Sequence, residues 1–238
     1  MENLVSCILA TRNRPNFMRQ AIRCFQRQSY AHAELIVVDD GETSVGELCA
    51  GLSDVHYIRL DKPSTLGRKL NLGVEQSHGS IIQKLDDDDY YHPEFLKRAV
   101  SSLPTTDRAQ TLVAWDCFLV LLAGETQLLF SGHGWSAGAT LCFHRELWER
   151  TPFREVSRAV DWWLIKDHQP RVVKVCAPEL FIVVRHGDNT WRNLHGGKVD
   201  DYFRRRPVYH KPLEELIEPP DCIFYRSLIE GTEIWSKR

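Results

Sequence analysis

Over the first hundred residues, short and nearly continuous apolar runs alternate with stretches whose apolar residues recur every three or four positions. Residues 4–10 form such a run, of strand length, and the loop Thr11-Arg12-Asn13-Arg14 separates it from Pro15, a favoured first residue of a helix. Met18, Ala21, Ile22 and Phe25 then make one apolar stripe, with Arg19, Gln20 and Arg23 expected to face outward. A second apolar run, 34–38, ends at Asp39-Asp40-Gly41. The pattern continues with a helix over 45–52, a strand over 55–60, a helix over 66–76 and a strand, 80–85, that ends at Asp86. Strands alternating with helices predict parallel pairing through right-handed crossovers.

After a helix near 94–101 the rhythm changes. Residues 111–122 and 127–130 flank Gly124 like a hairpin, and 139–143 and 180–184 read as further strands. The expected class is α/β, with a central, mostly parallel mixed sheet, helices on both faces and a mixed or antiparallel second half. No Pro/Gly/Ser-rich linker divides the 238 residues, so they read as a single domain over 1–238 with one sizeable core.

A net charge of −2 argues against a broad nucleic-acid footprint. The seven cysteines are odd in number and form no CxxC pair, which fits reduced core thiols better than disulfides or zinc. The stretch Met1-Glu2-Asn3-Leu4-Val5-Ser6-Cys7 lacks a basic, then long apolar, leader, and no window offers eighteen uninterrupted apolar residues. The expectation is a soluble, cytoplasmic protein with no transmembrane segment.

The candidate chemistry sits at strand ends. Asp86, Asp87, Asp88 and Asp89 follow the apolar run 80–85, at the edge where open α/β sheets bind ligands. Four adjacent carboxylates repel one another, and a divalent cation would offset that repulsion. The plainer reading is a solvated turn that also caps the helix after Pro93. A second acidic strand end, Asp39-Asp40, shifts the balance toward a metal-bound phosphate compound. One carboxylate would accept from base or ribose hydroxyls and another would hold the bridging metal. Lys69 would add a cation nearby, although taken alone it reads as a surface lysine.

Three segments, Val5-Ser6-Cys7-Ile8-Leu9-Ala10-Thr11-Arg12-Asn13-Arg14-Pro15, Val37-Val38-Asp39-Asp40-Gly41 and Leu85-Asp86-Asp87-Asp88-Asp89, together resemble the family 2 glycosyltransferases. The likeness resumes at 138–143, 160–164 and 185–191. It implies a GT-A fold, with a nucleotide-sugar donor half over 1–103, an acceptor and catalytic half over 104–198 and a tail over 199–238 of no stated role. Carried over by position, Thr11 and Asp40 line the nucleoside pocket, Asp87 reaches the ribose, and Asp88 ligates Mn²⁺ or Mg²⁺ on the diphosphate. Asp86 supports the turn or shares the ribose contact. Leu70 precedes Asn71 where many relatives carry arginine, so the cationic role falls to Lys69.

Val160-Asp161-Trp162-Trp163-Leu164 resembles the family's Glu-Asp-Trp segment, with Val160 replacing the glutamate. Asp161 is then the base that takes the acceptor's proton, in an inverting displacement. Without the resemblance it reads as a helix cap. His186, in a segment similar to the family's His-x-x-Asn-Thr, is a third metal ligand or a phosphate contact. Gly196-Gly197 would let a lid that includes Trp191 close over donor. The implied activity is transfer of a sugar from a nucleotide-diphosphate donor, UDP-linked, to a hydroxyl acceptor: a saccharide, a lipid-linked sugar, a protein or a small molecule. Two alternatives stand beside it: a non-catalytic nucleotide-sugar or carbohydrate binding module, and a sugar nucleotidylyltransferase. The second normally carries a glycine-rich loop after its first strand, which 10–15 lacks.

Overall fold

The computed structural model describes residues 3–230. Met1, Glu2 and the last eight residues of the tail, all read above, lie outside the described residues. The donor half runs β1 (Val5–Thr11), α1 (Pro15–Gln26), β2 (Ala33–Asp39), α2 (Gly46–Cys49), β3 (Val55–Arg59), α3 (Leu66–Glu75), β4 (Ile81–Leu85), β5 (Tyr90–Tyr91) and α4 (Phe95–Ser102). There follow β6 (Thr111–Cys117), β7 (Leu119–Leu122), β8 (Leu128–Phe130), β9 (Cys142–His144), α5 (Arg145–Arg150), α6 (Val160–His168), β10 (Arg171–Cys176) and β11 (Phe181–Arg185). Three helices close the described chain: α7 (Val199–Arg204), α8 (Leu213–Leu216) and α9 (Pro219–Glu230).

Seven strands form the main sheet, in the order β10-β6-β9-β4-β1-β2-β3. β1 pairs parallel with β2 and β4, β2 with β3, and β6 with β10, while β9 runs antiparallel between β4 and β6. The chain steps from β1 to β2 to β3 in one direction and then returns to place β4 on the other side of β1. Strand order reverses there, and in open α/β sheets the ligand crevice lies outside the carboxyl ends of the strands at such a point, here those of β1 and β4.

Burial on both faces explains the continuous apolar runs. Val5, Cys7, Leu9, Leu35 and Val37 pack beneath α1, α2 and α4, through Met18, Ile22, Cys49 and Phe95. Ile8, Ile36 and Val38 face the other way, into Leu70 and Val74 of α3, Leu147 of α5 and Leu164 of α6. The expected mostly parallel mixed sheet with helices on both faces is what forms.

The structure departs from the sequence reading at several places. Residues 111–122 are not one arm of a hairpin: β6 stays in the main sheet, and after the single residue Phe118 the chain enters a second sheet, ordered β5-β11-β7-β8. Only β7 and β8 form the hairpin around Gly124. The predicted strand over 139–143 begins instead as a 3₁₀ turn, Gly138–Thr140, because Thr140 turns its hydroxyl back to the Ala137 carbonyl and accepts from the Trp115 amide. Gln20, expected outside, is buried. The cause is α9, which covers the far side of α1: Tyr225 lies beside Cys24, and Asp221 pairs with Arg23 and Arg27. The described part of the tail packs on the rest of the chain, with Phe203 fully buried and Arg204 paired to Glu125.

At the opposite end of the sheet from the crevice, Glu34 ties four segments together. It accepts from Ser6 Oγ (2.6 Å) and from the amide and ring of His78 (2.6 and 3.2 Å), and His56 Nε2 lies 3.4 Å away. Burial pushes this carboxyl up, but the hydrogen bonds from Ser6 and His78 outweigh it and hold it below its ordinary 4.5. A folded pKa below the unfolded one gives stability that is complete above 4.5 and is lost as pH falls through the folded value. Glu34→Gln is therefore expected to cost about 1–3 kcal/mol at pH 7. Its stability, measured by urea unfolding, is also expected to fall less steeply than the wild type's as the pH drops into the acid range.

Candidate functional site

β1 delivers Thr11, and β4 delivers the acidic run, to the two sides of the crevice. Thr11 Oγ1 donates to Asp87 Oδ2 at 2.7 Å, which closes the gap between the two strand ends. At the end of β2 the neighbouring aspartates divide their work. Asp39 is fully buried and accepts from Gly41 N, Val45 N, Tyr57 OH and Arg59, so it shapes the turn. Asp40 faces the crevice, where Lys69 Nζ sits 2.7 Å from its Oδ1 and 3.0 Å from the Thr11 carbonyl. Lys69 is thus buried and paired, against its reading as a surface lysine.

The four consecutive aspartates meet different sets of partners, with Arg14 common to Asp87 and Asp88. Asp86 is the most exposed and pairs with Lys84, while its amide donates to Tyr91 OH. Asp87 accepts from Thr11 and from Arg14 Nη1 (2.7 Å). Asp88 Oδ2 is shared by Arg14 Nη1 (2.9 Å), Asn189 Nδ2 (3.0 Å) and His186 Nε2 (3.1 Å). Asp89 turns away and accepts the Val184 amide at 2.9 Å, which fastens the run to β11. Much of the repulsion assigned above to a metal is met by Arg14 and Lys84.

The environments separate the carboxyls. Burial pushes Asp89 well up, reinforced by Asp88 and Asp86. Burial also raises Asp87, against the opposing pull of Arg14 and Thr11. At Asp88 burial is outweighed by the hydrogen bond from His186 and the charge of Arg14, and this carboxyl lies below the usual range. An acid kept ionised among raised neighbours is suited to hold a cation.

His186 stacks on Phe17 with ring centroids 4.5 Å apart, and its Nδ1 accepts the Asp188 amide, so the Nε2 side is aimed at Asp88. Metal bonds of about 2.1 Å at right angles place neighbouring donors about 3.0 Å apart. The 3.1 Å between Asp88 Oδ2 and His186 Nε2 is a hydrogen bond in this tautomer, and Nε2 would stand beside Asp88 as a second ligand only once a cation displaced its proton. The carboxylate oxygen suits Mn²⁺ or Mg²⁺, and an imidazole ligand would favour Mn²⁺, the transition metal of the two.

Asp161 lies in the first turn of α6, on the other face of the sheet from α1. It is not the helix cap: that position is Ala159, at φ 56°, and no side chain caps the helix. Its carboxylate lies against Gly138, where any added Cβ would collide with it. Burial would lower the Lys84 ammonium, yet the charges of Asp86 and Asp161 outweigh it and raise that pKa, which puts all three groups in one neighbourhood.

The structure thus brings Thr11, Asp40 and Lys69 together, joins Thr11 to Asp87, and joins Asp88 to His186. Sequence reasoning missed Arg14, Lys84 and Asn189. Arg14 also reaches the Asp188 carbonyl (2.5 Å) and so bridges the first loop and the His186 loop. A lysine within a strand otherwise wholly buried was the available signal for Lys84. Trp191 packs against Trp135 (5.9 Å) and Phe203 (5.7 Å).

Residues 6–126 match the model of the family described as glycosyl transferase family 2. An uncharacterized glycosyltransferase of Rickettsia felis is 31% identical over 114 residues, 46% of this chain and 19% of that protein. The amylovoran biosynthesis glycosyltransferase AmsE of Erwinia amylovora is 24% identical over 131 residues, 53% of this chain and 45% of its own. The chain spans less than half the length of these relatives. Among solved structures, S. aureus TarS 1–349 in complex with UDP-GlcNAc superposes with TM-score 0.62 at 16% identity, covering 79% of this chain and 60% of that one. The mannosyltransferase PcManGT from Pyrobaculum calidifontis, in complex with GDP-Man and Mn²⁺, gives 0.60 at 17%, covering 81% and 60%. These likenesses show the fold, which is GT-A.

Proposed function

Because the chain belongs to glycosyltransferase family 2, we propose that it transfers a sugar from a nucleotide-diphosphate donor, UDP-linked, to a hydroxyl acceptor, with inversion and with a divalent metal. The observation that carries this reading is the meeting, at one crevice, of the Thr11–Asp87 and Lys69–Asp40 pairs with the Asp88–His186–Asn189 cluster. TarS binds UDP-GlcNAc and PcManGT binds GDP-Man with Mn²⁺ on the same fold, which supports a nucleotide-sugar donor and a metal. Residues 1–103 supply the donor half and 104–198 the acceptor half. The seven free thiols, most of them buried, fit the cytoplasmic placement.

Asp40 and Thr11 hold the base side of the nucleoside, with Lys69 orienting Asp40. Asp87 accepts from the ribose, and Asp86 supports the turn. Asp88 and His186 would hold Mn²⁺ or Mg²⁺, which when bound would neutralise charge on the diphosphate. Arg14 is placed to share that charge. Asp161 takes the proton of the acceptor hydroxyl as its oxygen bonds to the anomeric carbon and the bond to the diphosphate oxygen breaks. One displacement inverts the centre.

One feature favours a non-catalytic binding module: Val160, standing where the family carries a second acid, is fully buried against Leu164 in the core. Donor hydrolysis or transfer by the purified protein separates the two readings. The first test is thermal unfolding with UDP, GDP, dTDP or CMP and their sugar conjugates, each with Mn²⁺, with Mg²⁺ and with EDTA. UDP at about 100 times its Kd adds about 2.7 kcal/mol, or roughly 5–10 °C, when metal is present. A shift with GDP alone reassigns the base. No metal-dependent shift with any nucleotide removes the donor site.

A further inference from the structure

β6 and β10 run parallel, and their register slips at their ends: Val175 sits opposite Trp115, but Cys176 sits opposite Cys117. Asp116 is the extra residue of this bulge. The slip has two effects. It sets the two sulfurs side by side, 3.4 Å apart, and it frees the Asp116 carboxylate to accept from His133 Nδ1 (2.7 Å) and the Gly134 amide (3.0 Å). Bulges of this kind re-aim side chains at functional edges.

Cys117, Cys176 and one imidazole nitrogen of His133 offer three donor atoms that all lie within 4.8 Å of one another. The sulfur separation is well beyond a disulfide bond of about 2.05 Å. It approaches the edge of about 3.7 Å expected between two thiolates bound to zinc at 2.3 Å. With Nδ1 donating to Asp116, Nε2 is the nitrogen left with a lone pair, and carboxylate, imidazole and metal in sequence is the usual way a ligating histidine is oriented. Thiolates with imidazole select a soft divalent ion over Mg²⁺ or Mn²⁺. Cys117 is buried, whereas Cys176 and His133 are exposed, so a fourth position faces solvent.

We propose that Cys117, Cys176 and His133 form a zinc site, oriented by Asp116, separate from the donor site and independent of the transferase reading. Binding releases the thiol protons to solvent and leaves the fourth position to water. Its role is to anchor a loop. His133 opens the turn over 132–138, which holds left-handed glycines at Gly132 and Gly134 and ends at Gly138, against the Asp161 carboxylate. The same turn carries Trp135, packed on Phe118 and Trp191. The sequence reading took these cysteines as reduced core thiols; both are free, but Cys176 is exposed.

The experiment is metal analysis of the full chain purified with zinc and then desalted, followed by exchange to Co²⁺. Expected are about one zinc per chain and a thiolate-to-cobalt absorption band, both lost in Cys176→Ser and in His133→Ala. Asp116→Asn weakens zinc binding by roughly 10–100-fold. Asp88→Ala leaves the zinc in place. The two exposed positions, Cys176 and His133, keep the test clear of misfolding, and the wild-type cobalt spectrum stands without any variant. The proposal is overturned if no thiolate band appears, if Cys176→Ser retains zinc, or if mass spectrometry finds Cys117 and Cys176 disulfide-bonded in metal-free protein.

Discussion

Replacing Asp161 with asparagine lowers sugar transfer by roughly 10²–10⁴-fold and leaves donor affinity within a small factor of the wild type, if this carboxylate is the base. The change preserves shape and removes only the ability to accept a proton, so it isolates the chemical step. The geometry argues for such a role in two ways. Asp161 does not cap α6, and Gly138 leaves open the space that its carboxylate occupies. A residue that merely favoured the start of the helix would contribute about 0.3–1 kcal/mol to stability and nothing to turnover. Steady-state transfer or donor hydrolysis, read beside nucleotide affinity by calorimetry, separates these cases: near-normal turnover in Asp161→Asn would remove the assignment. A loss of donor affinity equal to the loss of turnover would instead place Asp161 in donor binding.

Asp88→Ala is expected to abolish metal-dependent nucleotide binding, with affinity in Mn²⁺ falling roughly 100-fold or more, to the level seen in EDTA. Asp88 Oδ2 gathers Arg14, His186 and Asn189, so the substitution also strands buried donors, at about 1–3 kcal/mol. Asp88→Asn keeps the shape and part of the bonding, so it separates loss of the metal from loss of the fold. Titration of UDP with and without Mn²⁺ is the measurement. Asp89→Asn serves as the comparison within the same run: that side chain meets the Val184 amide and not the crevice. If it lost metal-dependent binding while Asp88→Asn kept it, the ligand would lie one residue further along.

The elements whose signal is local were legible in the sequence. β1, β2 and β4 are buried on both faces and read as continuous apolar runs, and α1 shows its stripe because one side lies on the sheet. β10 was missed because Arg171, Lys174 and an exposed Cys176 give it the look of a polar loop, as suits the last strand at the edge of the sheet. The passage from β6 to β7 through Phe118 was invisible because both strands are apolar and nothing in the sequence marks a change of sheet. Asp40, Asp87, Asp88, Asp161 and His186 were singled out as candidates through ordered motifs. Arg14 was not, since its role depends on Asp87 and Asp88, more than seventy residues away. Gln20 was misplaced for the same kind of reason: the helix that buries it comes from the far end of the chain.

Arg14 holds Asp87 and Asp88 with one nitrogen and the Asp188 carbonyl with another. The acidic run is thereby partly neutralised and is not an open chelator. A cation arriving at Asp88 enters by ion exchange, against a guanidinium that gives up part of its pairing. Bare cations bind weakly under that competition. On the proposed function, a cation that arrived with a diphosphate would bring an anion for the released guanidinium to grip, so metal and nucleotide would load as one unit and each would raise the other's affinity by the same factor.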